Sequence, residues 1–183
     1  MNQPEPATHA TLRWRVADLD LVAGYTAGQR TAVWMNDGSG ALTEDTAAAM
    51  STSTSGDSVK AIVLGDIDGD NAVDMVLGIA GSPNKVYFND GASSPTFTQG
   101  AFANHWDTTN HLMLADVDND GKLDLISIAM SENRIYLNSG QRSAIFVDDT
   151  SNAFAVGRVN GLCGAVGDLD NDGDGTHRGV LHR

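Results

Sequence analysis

The sequence predicts an all-β protein, a β-propeller built from four-stranded blades, and three observations support this prediction. An acidic segment recurs along the chain at intervals of 50 and 52 residues. Around each copy, short stretches of alternating apolar and polar residues are separated by turn residues, which is typical of β-strands. Nothing between them has an amphipathic helical pattern long enough to serve as a crossover. Repeated sets of four short strands at such a period are typical of propeller blades.

The repeat is clearest in the acidic segment. LADVDNDGKLDLIS, residues 114–127, reproduces LGDIDGDNAVDMVLG, residues 64–78, so that Asp116 follows Asp66 by 50 positions. A third copy, VGDLDNDGDG, begins its acidic run at Asp168, a further 52 positions along. We therefore predict one repeat domain over residues 1–183, about three and a half blades in all, with approximate units 11–45, 57–100, 109–150 and a partial unit 159–183.

The strands of each unit follow from local pattern. In the second unit they are VKAIVLG, VDMVLGI, NKVYFN and TFTQ, and the acidic segment joins the first to the second. An aromatic segment closes on a turn in every complete unit, as AVWMNDG, KVYFNDG and RIYLNSG. Asn-Asp-Gly and Asn-Ser-Gly indicate hairpin turns, because these residues tolerate positive φ. A polar segment, residues 43–56, is predicted to connect the first two units.

Composition bounds the class of protein. The chain has 183 residues, 41% of them hydrophobic, and a net charge of -13, which suits one globular domain. This charge argues against unaided binding to nucleic acid. No segment approaches the length of a membrane span, so no membrane insertion is predicted. The opening residues lack the apolar core of a secretory signal, which leaves open a cytosolic protein or a fragment of a longer one. Cys163 is the only cysteine and is expected to be a small buried hydrophobe.

The acidic segments have the ligand pattern of a calcium loop. Aspartates stand at positions 1, 3, 5 and 9, and two unit charges about 4 Å apart in water repel by roughly 1 kcal/mol, so a cation is expected among them. Ca²⁺ prefers carboxylate and carbonyl oxygens, whereas Mg²⁺ tends to keep its waters. The predicted ligands are Asp66, Asp68, Asp70, the Ala72 carbonyl and Asp74 in the second unit; Asp116, Asp118, Asp120, the Lys122 carbonyl and Asp124 in the third; and Asp168, Asp170, Asp172 and Asp174 in a candidate third site.

Position 6 of each loop is expected to have positive φ. It holds Asn71, Gly121 or Gly173, the residue types that adopt this conformation most readily. The predicted role of the ion is structural, because it would pin the hairpin between the first two strands of a unit. Solvated acidic turns without metal are the alternative, which the recurrence of the spacing disfavours.

An EF-hand shares the first four ligand positions and must be weighed. Its loop requires a bidentate Glu at position 12 and flanking helices. The corresponding residues here are Leu77, Ser127 and Gly179, and the flanking segments are strand-like. Both requirements fail.

Two copies depart from the pattern. VADLDLVAG, residues 16–24, lacks six residues equivalent to 117–122, so no metal is predicted in the first unit. In the last copy Thr176 stands where Asp74 and Asp124 stand, and the apolar strand that should follow is replaced by GTHRGVLHR. Metal binding by the third loop is therefore left open.

The segments DIDGDNAVDMVLG, DVDNDGKLDLIS and KVYFNDG resemble FG-GAP/VCBS-type repeats, the blades of the calcium-binding β-propeller of integrin alpha subunits and many bacterial surface and secreted proteins. The resemblance covers nearly the whole chain after about residue 11. It implies Ca²⁺ held by the loop residues named above and a role in adhesion or recognition at the cell surface or outside the cell. Propellers typically close with four to eight blades, so a fragment, or a ring completed by further blades or self-association, is expected.

The predicted function is a non-catalytic, calcium-stabilised module that binds a protein or glycan. The alternative is an accessory or catalytic propeller domain of a carbohydrate-active or lipase-like secreted enzyme. Its candidate residues are His105 and His111, which flank Trp106 and Asp107 in NHWDTTNH, although a connector with a packed Trp and solvated histidines is the commoner arrangement. A purely structural spacer is the third possibility.

Overall fold

A computed structural model describes residues 18–26, 29–45, 50, 56–92, 94–150 and 160–169. Its regular elements in these ranges are eleven strands and one short 3₁₀ helix, Arg142–Ala144, so the predicted all-β class is confirmed. The strands are β1 Leu21–Ala23, β2 Ala32–Asn36, β3 Leu42–Glu44, β4 Val59–Gly65, β5 Asp74–Ser82, β6 Lys85–Asn89, β7 Phe97–Gln99, β8 Asp107–Ala115, β9 Asp124–Ala129, β10 Arg134–Asn138 and β11 Phe146–Asp148.

The strands form antiparallel meanders that follow the chain. β1 to β3 make a three-stranded sheet, while β4 to β7 and β8 to β11 each pair in sequence order as a four-stranded set. β5 also pairs with the start of β8, which joins the two larger sets into one curled sheet of eight strands. This arrangement is that of an incomplete β-propeller. β8 begins two residues before the predicted unit 109–150.

The local pattern of the second unit predicts its strands closely, with one exception. β4 has the same bounds as the predicted VKAIVLG, whereas β5 continues beyond VDMVLGI to Ser82. The extension passes an irregularity in register between Ala80 and Ser82, where Gly81 has φ 67°. It exists because these two residues pair with Thr108 and Asp107 of β8, a long-range contact that alternation along one strand does not reveal.

The buried core lies on both faces of the second unit. Met75, Leu77 and Ile79 of β5 join a cluster with Val33 of the first unit. Val76, between them in sequence, joins a cluster that includes Leu125 of the third unit. Since successive side chains of a strand point to opposite faces, this unit is packed between its two neighbours. A further cluster, Val117, Ile126 and Ile128, covers the other face of the third unit.

The prediction for Cys163 is wrong, because its side chain is exposed. The segment 160–169 lies against the third unit, where the Gly161 N–H donates to the Ala129 carbonyl at 3.0 Å. A Cβ on Gly161 would stand 2.5 Å from Ile128, and one on Gly164 would stand 3.1 Å from it. Glycines therefore occupy the close-contact positions of this segment, and Cys163 is left facing outward.

None of the residues that the structure describes belongs to a helix long and apolar enough to cross a membrane.

Candidate metal centres

The acidic loops connect β4 to β5 and β8 to β9. In the first of these, the second-unit loop, Asp66, Asp68 and Asp74 bring carboxylate oxygens within 4.8 Å of one another. In the third-unit loop, the same is true of Asp116, Asp118 and Asp120. Each group offers only hard oxygen donors, so each can hold a metal ion of the class that prefers them.

The first aspartate of each loop winds the loop around its own carboxylate. Asp66 accepts hydrogen bonds from the backbone N–H groups of Gly69 and Asn71, at 2.8 and 2.9 Å. Asp116 does the same for the N–H groups of positions 5 and 6 of its loop. The resulting turn, which is formed by hydrogen bonds within the protein, holds the remaining aspartates near this carboxylate.

The predicted positive φ at position 6 is confirmed in both described loops. Asn71 has φ 68° and Gly121 has φ 86°. Position 4 also has positive φ, at Gly69 (79°) and Asn119 (59°), which the sequence reasoning missed. The missed signal is the Asp-Gly or Asp-Asn pair at positions 3 and 4, a dipeptide that favours turns. Gly173 lies outside the described residues.

Gly121→Ala is expected to lower the free energy of unfolding by about 1 kcal/mol, since alanine resists this backbone conformation. A Cβ at this position would meet no heavy atom within 4 Å, so crowding contributes nothing to the loss. Urea denaturation in chelator measures the effect, with Gly121→Asn as the control that restores most of the stability. Equal stability of the alanine variant and the parent chain would contradict the assignment of strain to φ.

The last aspartate of each loop is buried and joins the loop to the third strand of its unit. Asp74 is 0% exposed and accepts the N–H groups of Ile67 at 2.9 Å and Asn89 at 2.8 Å. Asp124, 1% exposed, accepts those of Val117 and Asn138 at 2.8 and 2.7 Å. These carboxylates therefore have a structural role in addition to any ligation.

Burial raises the pKa of both carboxyls above the ordinary aspartate value. The backbone hydrogen bonds oppose this effect, whereas the neighbouring charge of Asp68 adds to it at Asp74. Asp118 and Asp120 add to it at Asp124. The negative charge of the last aspartate in each loop is therefore unfavourable, and a bound cation would stabilise it.

Basic side chains of the protein already lie on these carboxylates. Arg142 donates from Nε to Asp68 and from Nη2 to Asp70, the latter at 2.8 Å. Lys122 donates from Nζ to Asp120, and this hydrogen bond lowers the pKa of that carboxyl. The carboxylates thus attract positive charge, and their converging oxygens are the donor type that a hard cation prefers.

Not every predicted ligand joins a group. Asp70 lies outside the first group and contacts Arg142, and Asp124 lies outside the second, where its oxygens accept backbone N–H groups. Ligation by the carbonyls of Ala72 and Lys122 stays a prediction. Asp168 is exposed, and the other predicted ligands of the third site fall outside the described residues: Asp170, Asp172 and Asp174.

The first unit retains one part of this arrangement. Asp20 accepts the Asn36 N–H at 2.8 Å, as Asp74 and Asp124 do in their own units. The Asn36 side chain in turn donates to the Leu19 carbonyl at 3.1 Å. This aspartate–asparagine pair persists where six residues of the loop are missing, so it does not depend on the acidic part of the loop.

The histidines of NHWDTTNH have structural partners. His105 Nδ1 is 3.1 Å from the Tyr136 hydroxyl, and its Nε2 is 3.5 Å from Asp148. His111 Nδ1 accepts the Gly164 N–H at 3.4 Å. Trp106 is 70% exposed, so the expectation that it packs on the blade is wrong. Both histidines are partly buried.

Asp107, the fourth member of this segment, is also engaged. Its carboxylate accepts the Ser131 hydroxyl at 2.5 Å and backbone N–H groups of Thr108 and Glu132. It ties the start of β8 to the turn between β9 and β10. These contacts give Asp107 a structural role.

Comparison with known protein families supports the repeat. A family model described as FG-GAP-like repeat matches residues 66–127 and 116–175. The two overlapping matches span residues 66–175, more than half of the chain, and each begins at the first aspartate of an acidic loop. A search of curated proteins found no match.

Proposed function

This chain belongs to the FG-GAP-like repeat family, and on that premise we propose that it is a non-catalytic recognition module whose second and third units each bind one Ca²⁺. The observation that carries the proposal is the pair of equivalent loops in which three carboxylates converge. One such turn is common without an ion, but three carboxylates converge in both consecutive loops, at positions 1, 3 and 9 in one and 1, 3 and 5 in the other, which favours a common function.

Calcium suits these loops better than magnesium. Magnesium demands near-ideal octahedral geometry and dehydrates reluctantly, whereas calcium accepts many oxygens in flexible arrangements. In the second unit the ion would be held by Asp66, Asp68, Asp70, Asp74 and the Ala72 carbonyl. In the third it would be held by the equivalent residues, Asp116, Asp118, Asp120, Asp124 and the Lys122 carbonyl. When bound, Ca²⁺ supplies charge neutralisation and fixes the turn between the first two strands of a unit.

The partner that we propose is a protein or a glycan, bound outside the cell or at the cell surface. There the millimolar calcium concentration would saturate even weak sites. The net charge of -13 disfavours nucleic acid. Further blades, or a second copy of the chain, are proposed partners for the exposed strand edges, because an unpaired edge is a template for pairing. The structural contacts of His105 and His111 support a non-catalytic module.

Calorimetric titration with CaCl₂ of the chain from which metal has been removed by a chelator tests the proposed calcium binding. We expect saturable binding of at least two ions and a higher melting temperature with calcium, because an ion that binds only the folded state stabilises it. The variant with both Asp68→Ala and Asp118→Ala is expected to lose binding at these loops and most of the calcium-dependent stabilisation.

Two controls sharpen the test. Magnesium in place of calcium is expected to give much weaker heats, and Asp37→Ala removes an exposed carboxylate of a hairpin turn without touching either loop. Identical melting curves in calcium and in chelator would contradict the proposal. Arrays of glycans and extracellular proteins, screened with and without calcium, then address the partner, and turnover of glycans or esters abolished by His105→Ala would favour the enzymatic alternative.

A further inference from the structure

We propose that Arg142 is an internal competitor of Ca²⁺ at the second-unit loop, so that ion binding there is weakened by a contact from the neighbouring unit. The inference rests on the proposed function, because it concerns what sets the affinity of one of its two sites. It singles out a residue that lies in no acidic loop and is separated from its partners, Asp68 and Asp70, by 74 and 72 positions.

Arg142 lies between the second and third units. It opens the 3₁₀ helix in the turn between β10 and β11 of the third unit, and its guanidinium reaches back to the second-unit loop. The guanidinium carbon lies 5.0 Å from the ring centroid of Phe88, a buried residue of β6. The Asp68 side chain is only 5% exposed, whereas that of Arg142 is 51% exposed, so the contact is buried on the side of the carboxylate. Two carboxylates and one aromatic ring therefore hold this arginine between units.

Competition follows from the state of the carboxylate oxygens. Asp68 Oδ2 and Asp70 Oδ2 accept from Arg142, while Asp68 Oδ1 and Asp70 Oδ1 accept backbone N–H groups of the loop. All four oxygens at ligand positions 3 and 5 thus have partners. An ion that takes these aspartates must displace the guanidinium, and the two positive charges repel if both stay.

The third-unit loop differs in the source of its cation. Lys122 belongs to that loop and contacts the carboxylate of Asp120 alone. A lysine is a flexible point charge, whereas the planar guanidinium of Arg142 engages two carboxylates at fixed spacing. The turns equivalent to that of Arg142, residues 37–41 and 90–96, contain no basic residue. The two loops are consequently expected to differ in calcium affinity, because calcium must compete more strongly with a basic side chain at the second-unit loop.

The test isolates the second-unit loop in an Asp118→Ala chain, where the third-unit loop is disabled. In that background Arg142→Gln is expected to lower the calorimetric Kd for Ca²⁺ by roughly 5- to 10-fold, the low end of typical coupling between sites. Arg134→Gln is the matched control, because Arg134 pairs with Glu132 and Asp148 and lies outside the loop. It removes the same charge and is expected to change Kd by less than about 2-fold, because Arg134 contacts neither carboxylate of the loop and charges beyond a Debye length are largely screened.

A second measurement separates competition from simple structural support. Since coupling is reciprocal, Arg142→Gln is expected to lower the melting temperature in chelator and to lose or reverse this deficit in saturating CaCl₂. Arg142→Lys keeps the positive charge but not the planar guanidinium, so its Kd and melting temperature are expected to lie between those of the parent chain and Arg142→Gln. This variant replaces Arg142→Gln in the test if the glutamine variant does not fold.

The outcomes distinguish the two proposals. If the Asp118→Ala chain binds calcium and Arg142→Gln matches Arg134→Gln in Kd, the competition is disproved while the calcium function stands. An equal melting deficit with and without calcium also overturns it, because Arg142 would then be a structural contact only. If neither the parent nor the Asp118→Ala chain binds calcium, both proposals fall.

Discussion

Asp74→Ala and Asp124→Ala are each expected to lower the free energy of unfolding by about 3 kcal/mol in the absence of calcium, because each leaves two backbone N–H groups without their acceptor. Asp74 accepts the N–H groups of Ile67 and Asn89. Asp124 accepts those of Val117 and Asn138. Both carboxylates are fully or almost fully buried, so water does not readily replace them. Urea denaturation in chelator measures this structural role separately from ligation.

The matched controls lie in the same loop. Asp74→Asn keeps one oxygen acceptor and is expected to lose about half as much stability as Asp74→Ala. Asp70→Ala removes a more exposed carboxylate whose ion pair with Arg142 is partly solvated, so a loss below about 1 kcal/mol is expected. If Asp74→Ala and Asp70→Ala cost the same in chelator, the buried aspartate is no more structural than its exposed neighbour.

Asn138→Ala is expected to cost about 2 to 3 kcal/mol, because its buried side chain links two units and three hydrogen bonds are lost. Its amide donates to the carbonyl of Ile67 in the second unit at 2.7 Å and to that of Leu123 in the third at 3.0 Å. Its oxygen accepts the Gly140 N–H at 2.8 Å. Chemical denaturation in chelator gives the magnitude.

Asn89 is the natural comparison, since it occupies the same place in β6. Its amide donates to Val73 at 3.1 Å and its oxygen accepts the Gly91 N–H, both within one unit and near the surface. Asn89→Ala is expected to cost about 1 kcal/mol. Asn138→Asp, which replaces the donor by a carboxylate facing two carbonyls, is expected to cost at least as much as Asn138→Ala. If Asn138→Ala and Asn89→Ala lower the free energy of unfolding equally, the hydrogen bond between units does not contribute to stability as predicted.

Much of the fold was predictable because it is written in short-range pattern. Alternation along VKAIVLG predicts β4 to the residue, and Asn-Asp-Gly predicts a turn that Asn89 closes by accepting the Gly91 N–H. The spacing of the aspartates predicts two loops whose carboxylates converge. Each of these features depends on residues within about ten positions of one another, where steric and hydrogen-bond preferences act directly.

Apart from the positive φ at position 4 of the loops, which has a local signal, the features that were missed depend on distant partners. The extension of β5 arises from pairing with β8, and the exposure of Cys163 follows from glycines that contact Ile128. Arg142 stands in an unremarkable polar turn, and only the curl of the sheet brings it to Asp68. No periodicity along a single chain encodes such encounters, since they depend on how neighbouring units stack.

The aspartate–asparagine pair of the first unit has a consequence for how such arrays are enumerated. Asp20 still accepts the Asn36 N–H although the six-residue acidic insert is missing, and the family match begins only at residue 66. A copy can thus keep this contact between strands without the acidic loop. The number of acidic loops in such a sequence is therefore a lower limit on its number of blades. Blades without the loop can be recognised by an aspartate that precedes a paired aromatic strand ending in asparagine.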